Sequence, residues 1–148
     1  FSLTEFCSFW AQSNFMNRES IDRNVVLKLA FDFALLIMEF CGKLEADRKF
    51  IIARQLLKSG TSIGANAIEA QNAESTADFI HKFKIAAKEG EETEYWLLLC
   101  KYSSGYPETK ELLTRIGELN KVIGKIISTS RRKKRFNSIF FGLLAQGI

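Results

Sequence analysis

The sequence predicts an all-α protein, an antiparallel up-down-up-down four-helix bundle over residues 20–130, on three observations. Apolar residues recur at spacings of three and four in four successive segments, the pattern of helices that each bury one face. The single proline and the lack of regularly spaced turn signals argue against a sandwich or barrel. The segments are joined by short loops, and four such helices have one economical packing, with neighbouring axes roughly 20° apart. The 47% apolar and 26% charged content is that of an ordinary folded chain, and 148 residues suffice for one core without disulfides or metals.

Residues 1–19 precede the pattern. The first fifteen, FSLTEFCSFWAQSNF, are aromatic-rich, carry no helical stripe and end directly before Met16, so they are read as an extension or translated upstream sequence. A secretory signal is the alternative, against which stand the missing basic start and the missing continuous apolar run. The first predicted helix runs from about Asn24 to Cys41, with Val26, Leu29, Ala30, Phe33, Leu36, Ile37 and Phe40 on one face and Gly42 placed to end it. Asp47 is a candidate cap for the second, where Phe50, Leu57, Gly64 and Ile68 continue a face down to about Asn72. Ser75 with Asp78 three residues on resembles a capping box, and Phe79, Phe83, Ala86, Gly90, Thr93, Leu97 and Cys100 mark the inward stripe of the third. Gly105 is suited to close that helix and Pro107 to open the fourth, which runs to Ser130 along a heptad-like seam of Leu112, Ile116, Leu119, Ile123 and Ile126.

Charge is unevenly distributed. Arg131, Arg132, Lys133, Lys134 and Arg135 hold five of the 21 positive charges and no acidic residue follows position 130, which leaves 16 basic against 17 acidic groups before it. The bundle is therefore nearly neutral, and residues 131–148 form a basic and then apolar tail. A basic run suits nucleic acid or an anionic membrane, because each cation that meets a phosphate displaces counterions. A solvated tail is the plainer reading. Ile139, Phe140, Phe141, Leu143 and Leu144 are too few to span a bilayer; lying on a membrane surface and packing on the bundle are both open.

The second helix carries a further stripe, in which Gln55, Ser59, Ser62, Asn66 and Glu69 share one side at spacings of four and three. Beside it Gly60, Gly64 and Ala67 remove bulk, and the third helix offers Ala86, Ala87 and Gly90, which predicts tight packing between the middles of these two helices. Such packing would bring Glu69, Glu89 and Glu92 near Arg54, Ser62 and Asn66. A polar network or subunit contact is one reading of this set, a solvated flank the other.

Catalytic and metal chemistry find little support. Di-metal sites in bundles need Glu-x-x-His pairs on two helices, whereas His81 is the one histidine and no glutamate lies three residues before it. There is no phosphate-binding glycine loop and no nucleophile elbow, so neither an enzyme, a cofactor nor a small-molecule substrate is expected. Three widely spaced cysteines, Cys7, Cys41 and Cys100, match neither a disulfide framework nor a zinc spacing, and a reducing, cytoplasmic location is expected. Tyr95, Trp96, Tyr102 and Tyr106 cluster at one end of the predicted bundle, read as packing in preference to base stacking.

The stretch QLLKSGTSIGANAIEAQ at residues 55–71, followed by DFIHKFKIAAKEGEETEYWLLL at 78–99, resembles the bacterial four-helix-bundle family named for the protein encoded in intervening sequences of 23S rRNA genes. The likeness covers about residues 20–130. Phe83, Ala87 and Gly90 depart from the usual leucine and alanine positions. The resemblance implies a left-handed antiparallel bundle that assembles into a homopentamer and has no established catalytic role, while the basic tail, Arg131 to Arg135, suggests ribosomal RNA or the ribosome as a partner. A related protein, the accessory protein of diversity-generating retroelements, is a basic pentamer that binds nucleic acid and a reverse transcriptase, a role for which the near-neutral bundle here is poorly charged.

Overall fold

The structure is a computed structural model that describes residues 17–145, with side chains through Phe136. Among these residues every element is helical: α1 (Arg18–Asp22), α2 (Val25–Ala46), α3 (Phe50–Gln71), α4 (Thr76–Tyr102) and α5 (Lys110–Ala145). Each of the four long helices packs against the next in the chain, and α2 also meets α5, which closes an antiparallel bundle. The core is one cluster to which all four contribute, including Phe33, Ile37 and Leu44 from α2, Leu56 and Ile63 from α3, Phe83 and Leu97 from α4, and Ile116 and Ile123 from α5.

The first predicted helix extends four residues beyond Gly42, because Leu44 on its last turn is fully buried and outweighs one exposed glycine. Its end is made by Arg48. This residue adopts φ 59°, its N–H bonds the Glu45 carbonyl at 2.9 Å, and the Lys49 N–H bonds the Leu44 carbonyl at 2.8 Å. That pair of bonds is a Schellman closure with arginine where glycine is usual. Asp47 consequently closes α2 and does not cap α3, whose N-cap Lys49 makes no side-chain cap bond.

The core face of α3 is also rotated from expectation. Ala53, Leu56, Ser59, Gly60, Ile63, Ala67 and Ala70 point inward, while Phe50 and Leu57 are exposed. Small residues hold five of these seven buried positions, while Phe50, Ile51 and Leu57 lie outside, so side-chain size misleads. On α4, by contrast, the expected stripe is buried except for Phe79, which is half-buried, and Ser75 caps the helix by accepting from the Asp78 N–H at 3.1 Å.

Gly105 takes φ 75° in the connection to α5. Pro107 stands before the helix, which begins three residues later, where the Glu108 carboxylate accepts from the Thr109 and Lys110 N–H groups at 3.0 and 2.9 Å. The fourth helix does not stop at Ser130. It continues without a break through the basic run to Ala145, so that 36 residues, about 54 Å at 1.5 Å per residue, form one rod. Ahead of the bundle, Asn17 caps α1 through a reciprocal pair with Ser20, so Arg18 and Glu19 belong to a helix; residues 1–16 lie outside the described residues. Arg18 ties α1 to α2 through Asp32 at 2.7 Å, and Lys28 holds the same carboxylate at 2.6 Å.

Candidate assembly and nucleic-acid interfaces

The polar stripe on α3 is divided by the structure into a buried centre and wet flanks. Ser59 and Thr93 are fully buried with their hydroxyl oxygens 2.9 Å apart, joining α3 to α4. Ser59 Oγ also lies 3.0 Å from the Gln55 carbonyl and Thr93 Oγ1 2.7 Å from that of Glu89. Two hydroxyls bring two hydrogens to three contacts, so at any moment one contact lacks its proton. The pair is satisfied by its own helices as well as by each other, which makes burial of both groups tolerable.

The other stripe residues do not join it. Asn66 donates to the Ser62 carbonyl at 2.9 Å on its own helix, Glu69 accepts from Lys82 at 2.5 Å, and Glu92 accepts from the Trp96 indole at 3.2 Å. Its bond to the Glu69 carboxylate raises the Lys82 pKa above its ordinary value. Arg54 is exposed and Gln55 and Glu89 are half-buried, with only the main-chain carbonyls of the latter two engaged. Within one chain these residues therefore form separate pairs and no connected network.

The glycines face different neighbours from those the sequence pairs. A Cβ on Gly60 would meet Ile37 of α2 at 3.0 Å, and one on Gly90 would come within 2.2 Å of Asn120 Oδ1 on α5. Each helix in a bundle has two neighbours, and the small residues turn to the one away from the stripe. Asn120 donates to Glu94 at 3.4 Å while its buried Oδ1 finds no polar partner and sits against the bare Gly90 Cα. The close α3–α4 packing is real, and the buried Ser59–Thr93 pair lies within it.

The basic residues sit apart from this. Arg131, Arg132, Lys133, Lys134 and Arg135 are all exposed on the extension of α5, and at 100° per residue five consecutive positions place charge on every side of the rod. Where the extension leaves the bundle, Lys133 and Lys134 line a cavity of about 370 Å³ with Gln71, Ser75, Thr76 and Phe79, beside the N-terminus of α4. Two lysines and a helix N-terminus line it, with Asp78 in the first turn of that helix.

A set of apolar side chains lies outside the core, among them Tyr95 and Tyr102 of the predicted aromatic cluster and Phe50, which the sequence placed on the inward face. Ile51 is 78% exposed and Tyr102 80% exposed, with Phe50, Tyr95, Leu98 and Leu99 also outside. The start of α3 and the end of α4 share one end of an antiparallel pair, so these residues concentrate there. Ile51, Leu98 and Leu99 had no sequence signal beyond their position off the inward stripe. Such concentration marks interaction surfaces more often than scattered single residues do. Both described cysteines are buried. Burial first, then Glu45 and Cys100, push the Cys41 thiol up to about 11, and burial raises Cys100, so both are poor nucleophiles at neutral pH. Among the described residues no group of three or more His, Cys, Asp or Glu is arranged to hold a metal, and no helix is long and apolar enough to cross a membrane.

Residues 22–128 match the family model of the 23S rRNA-intervening sequence protein. The chain belongs to that family. It is also similar to the crystal structure of a protein of unknown function from the S23 ribosomal protein family of Bacteroides thetaiotaomicron. The two are 40% identical with a TM-score of 0.66, over 69% of this chain and 97% of that one. No curated protein matches the chain. The family match stops at residue 128, so the intervening-sequence fold accounts for the bundle, while the basic run lies beyond it.

Proposed function

We propose that the chain is a non-enzymatic, cytoplasmic, self-assembling bundle protein that associates with ribosomal RNA or the ribosome through Arg131–Arg135. Self-assembly is supported by the apolar side chains at the α3 start and the α4 end, and the family resemblance makes a homopentamer the expected size. The two buried unpaired thiols support a reducing compartment. The observation that carries RNA association is the basic run itself, five exposed cations with no acidic neighbour, on a helix that projects past a near-neutral bundle. Contacts of this kind are to phosphates and carry no sequence preference of their own. Deleting residues 131–148 is expected to abolish RNA binding and flatten its salt dependence. Five contacts to single-stranded RNA would give a slope of about −3.5 in log K against log salt. Unchanged binding by the truncated chain would overturn this reading. Light scattering of the full chain tests assembly separately.

A further inference from the structure

The seam between α2 and α5 is the thinnest of those joining the long helices. Leu29, Leu35 and Leu36 line its α2 side, and α5 answers them with Glu111, Arg115 and Glu118 instead of apolar residues. The result is a groove of about 330 Å³ with an apolar floor and an acidic rim; Leu35 is 48% exposed in it. Asp32 on the rim is neutralised by Arg18 and Lys28. Glu118 is held by Arg115 at a long 3.9 Å, and Glu111 has no ion-pair partner among the described residues, so Glu111 supplies the rim's unspent negative charge.

A segment of matching chemistry lies in the same sequence. After five cations, Phe136, Ile139, Phe140, Leu143 and Leu144 follow at i, i+3, i+4, i+7 and i+8, the register of one apolar helix face. Its own groove is beyond reach. Phe140 stands about 33 Å along the unbroken α5 rod from Glu118, and the rod runs away from the groove. We infer that the α5 extension of one copy docks in the α2–α5 groove of another, its apolar face on Leu29, Leu35 and Leu36 and its cations beside Glu111 and Glu118. The inference rests on the self-association proposed above, and it adds to that reading the element that reaches between copies. Apolar floor and acidic rim together select this occupant, since neither RNA nor an anionic bilayer is attracted to a rim of glutamates.

The test places benzoylphenylalanine at position 140 of the full chain and mixes isotopically heavy and light copies before irradiation. Cross-links between heavy and light chains that map to residues 29–36 are expected, and Leu35→Glu or the pair Glu111→Lys and Glu118→Lys should reduce them severalfold. Leu35 and both glutamates are exposed, so these variants are expected to keep the fold. Cross-links confined to one chain, to other surfaces, or to none at all would overturn the inference. So would transfer of the cross-link to added poly(U) or to phosphatidylserine vesicles with no protein–protein product. Light scattering on the same samples separates the two readings: an oligomer without the cross-link overturns docking alone, and a monomer overturns self-association as well.

Discussion

The α3–α4 and α2–α5 seams belong to one bundle yet are closed by opposite means. At α3–α4 two hydroxyls are buried at little cost because each lies against a carbonyl of its own helix and against the other hydroxyl, two protons serving three contacts. At α2–α5 leucines meet glutamates and an arginine, and the seam stays open. Both helix pairs are amphipathic; what differs is whether the residues one step off the inward stripe are small and self-satisfied or long and charged.

Substitutions that break this contrast are ordered by expected size, each read as a shift in urea unfolding at fixed protein concentration. Phe83→Ala, which empties the α4 core, should cost about 3–5 kcal/mol. Gly90→Ala should cost about 1–3 kcal/mol, since its Cβ displaces the Asn120 amide. In an Asn120→Ala background the same change should instead stabilise by up to about 1 kcal/mol, the helix-propensity gain of alanine. A cost that persists there would mean that Asn120 is not the obstacle. Thr93→Val, which keeps shape and removes the shared hydroxyl, should cost about 1 kcal/mol. Leu35→Ser in the open seam should change stability by less than about 0.5 kcal/mol; a larger loss would show that the groove belongs to the core.

A pH series sharpens the same contrast at the mouth of the groove. Lys28 and then Arg18 hold the Asp32 pKa below its ordinary value. The unfolded state therefore binds the proton more readily, so this contribution is complete above the ordinary Asp value of about 3.9 and is lost as pH falls through the lowered folded value. The pairs are exposed and their effect small. Amide exchange in residues 18–22 should accelerate as Asp32 is protonated, and Asp32→Asn should produce that acceleration already at neutral pH.

The bundle was legible wherever buried positions carried large residues at regular spacing. The α4 stripe from Phe83 to Cys100 and the α5 seam from Leu112 to Ile123 are such cases. The face of α3 was misread because Ala53, Ala67 and Ala70 are inside while Phe50 and Ile51 are outside, an arrangement that hydropathy alone reverses. Gly42 looked like a stop signal, whereas the stop is Arg48, whose left-handed backbone leaves no compositional trace. The polar stripe was visible as a pattern, but which of its members would be buried depended on the partner helix: Ser59 alone finds a hydroxyl opposite. The extension escaped notice as a helix because five consecutive cations have no periodicity, although lysine and arginine are good helix formers.

The unbroken α5 rod has a mechanical consequence. Its first half is clamped by Ile116, Leu119 and Ile123, and no loop separates that half from the extension. The extension is thus a lever with a fixed bearing, and a force applied at its outer end is delivered as torque to the core seam instead of being absorbed by a hinge. Gly124 lies in that rod and its absent Cβ would touch nothing, so Gly124→Ala should stiffen the helix there and stabilise the bundle slightly, by up to about 1 kcal/mol. Whatever grips the far end of α5 therefore acts directly on the packing of the domain that carries it.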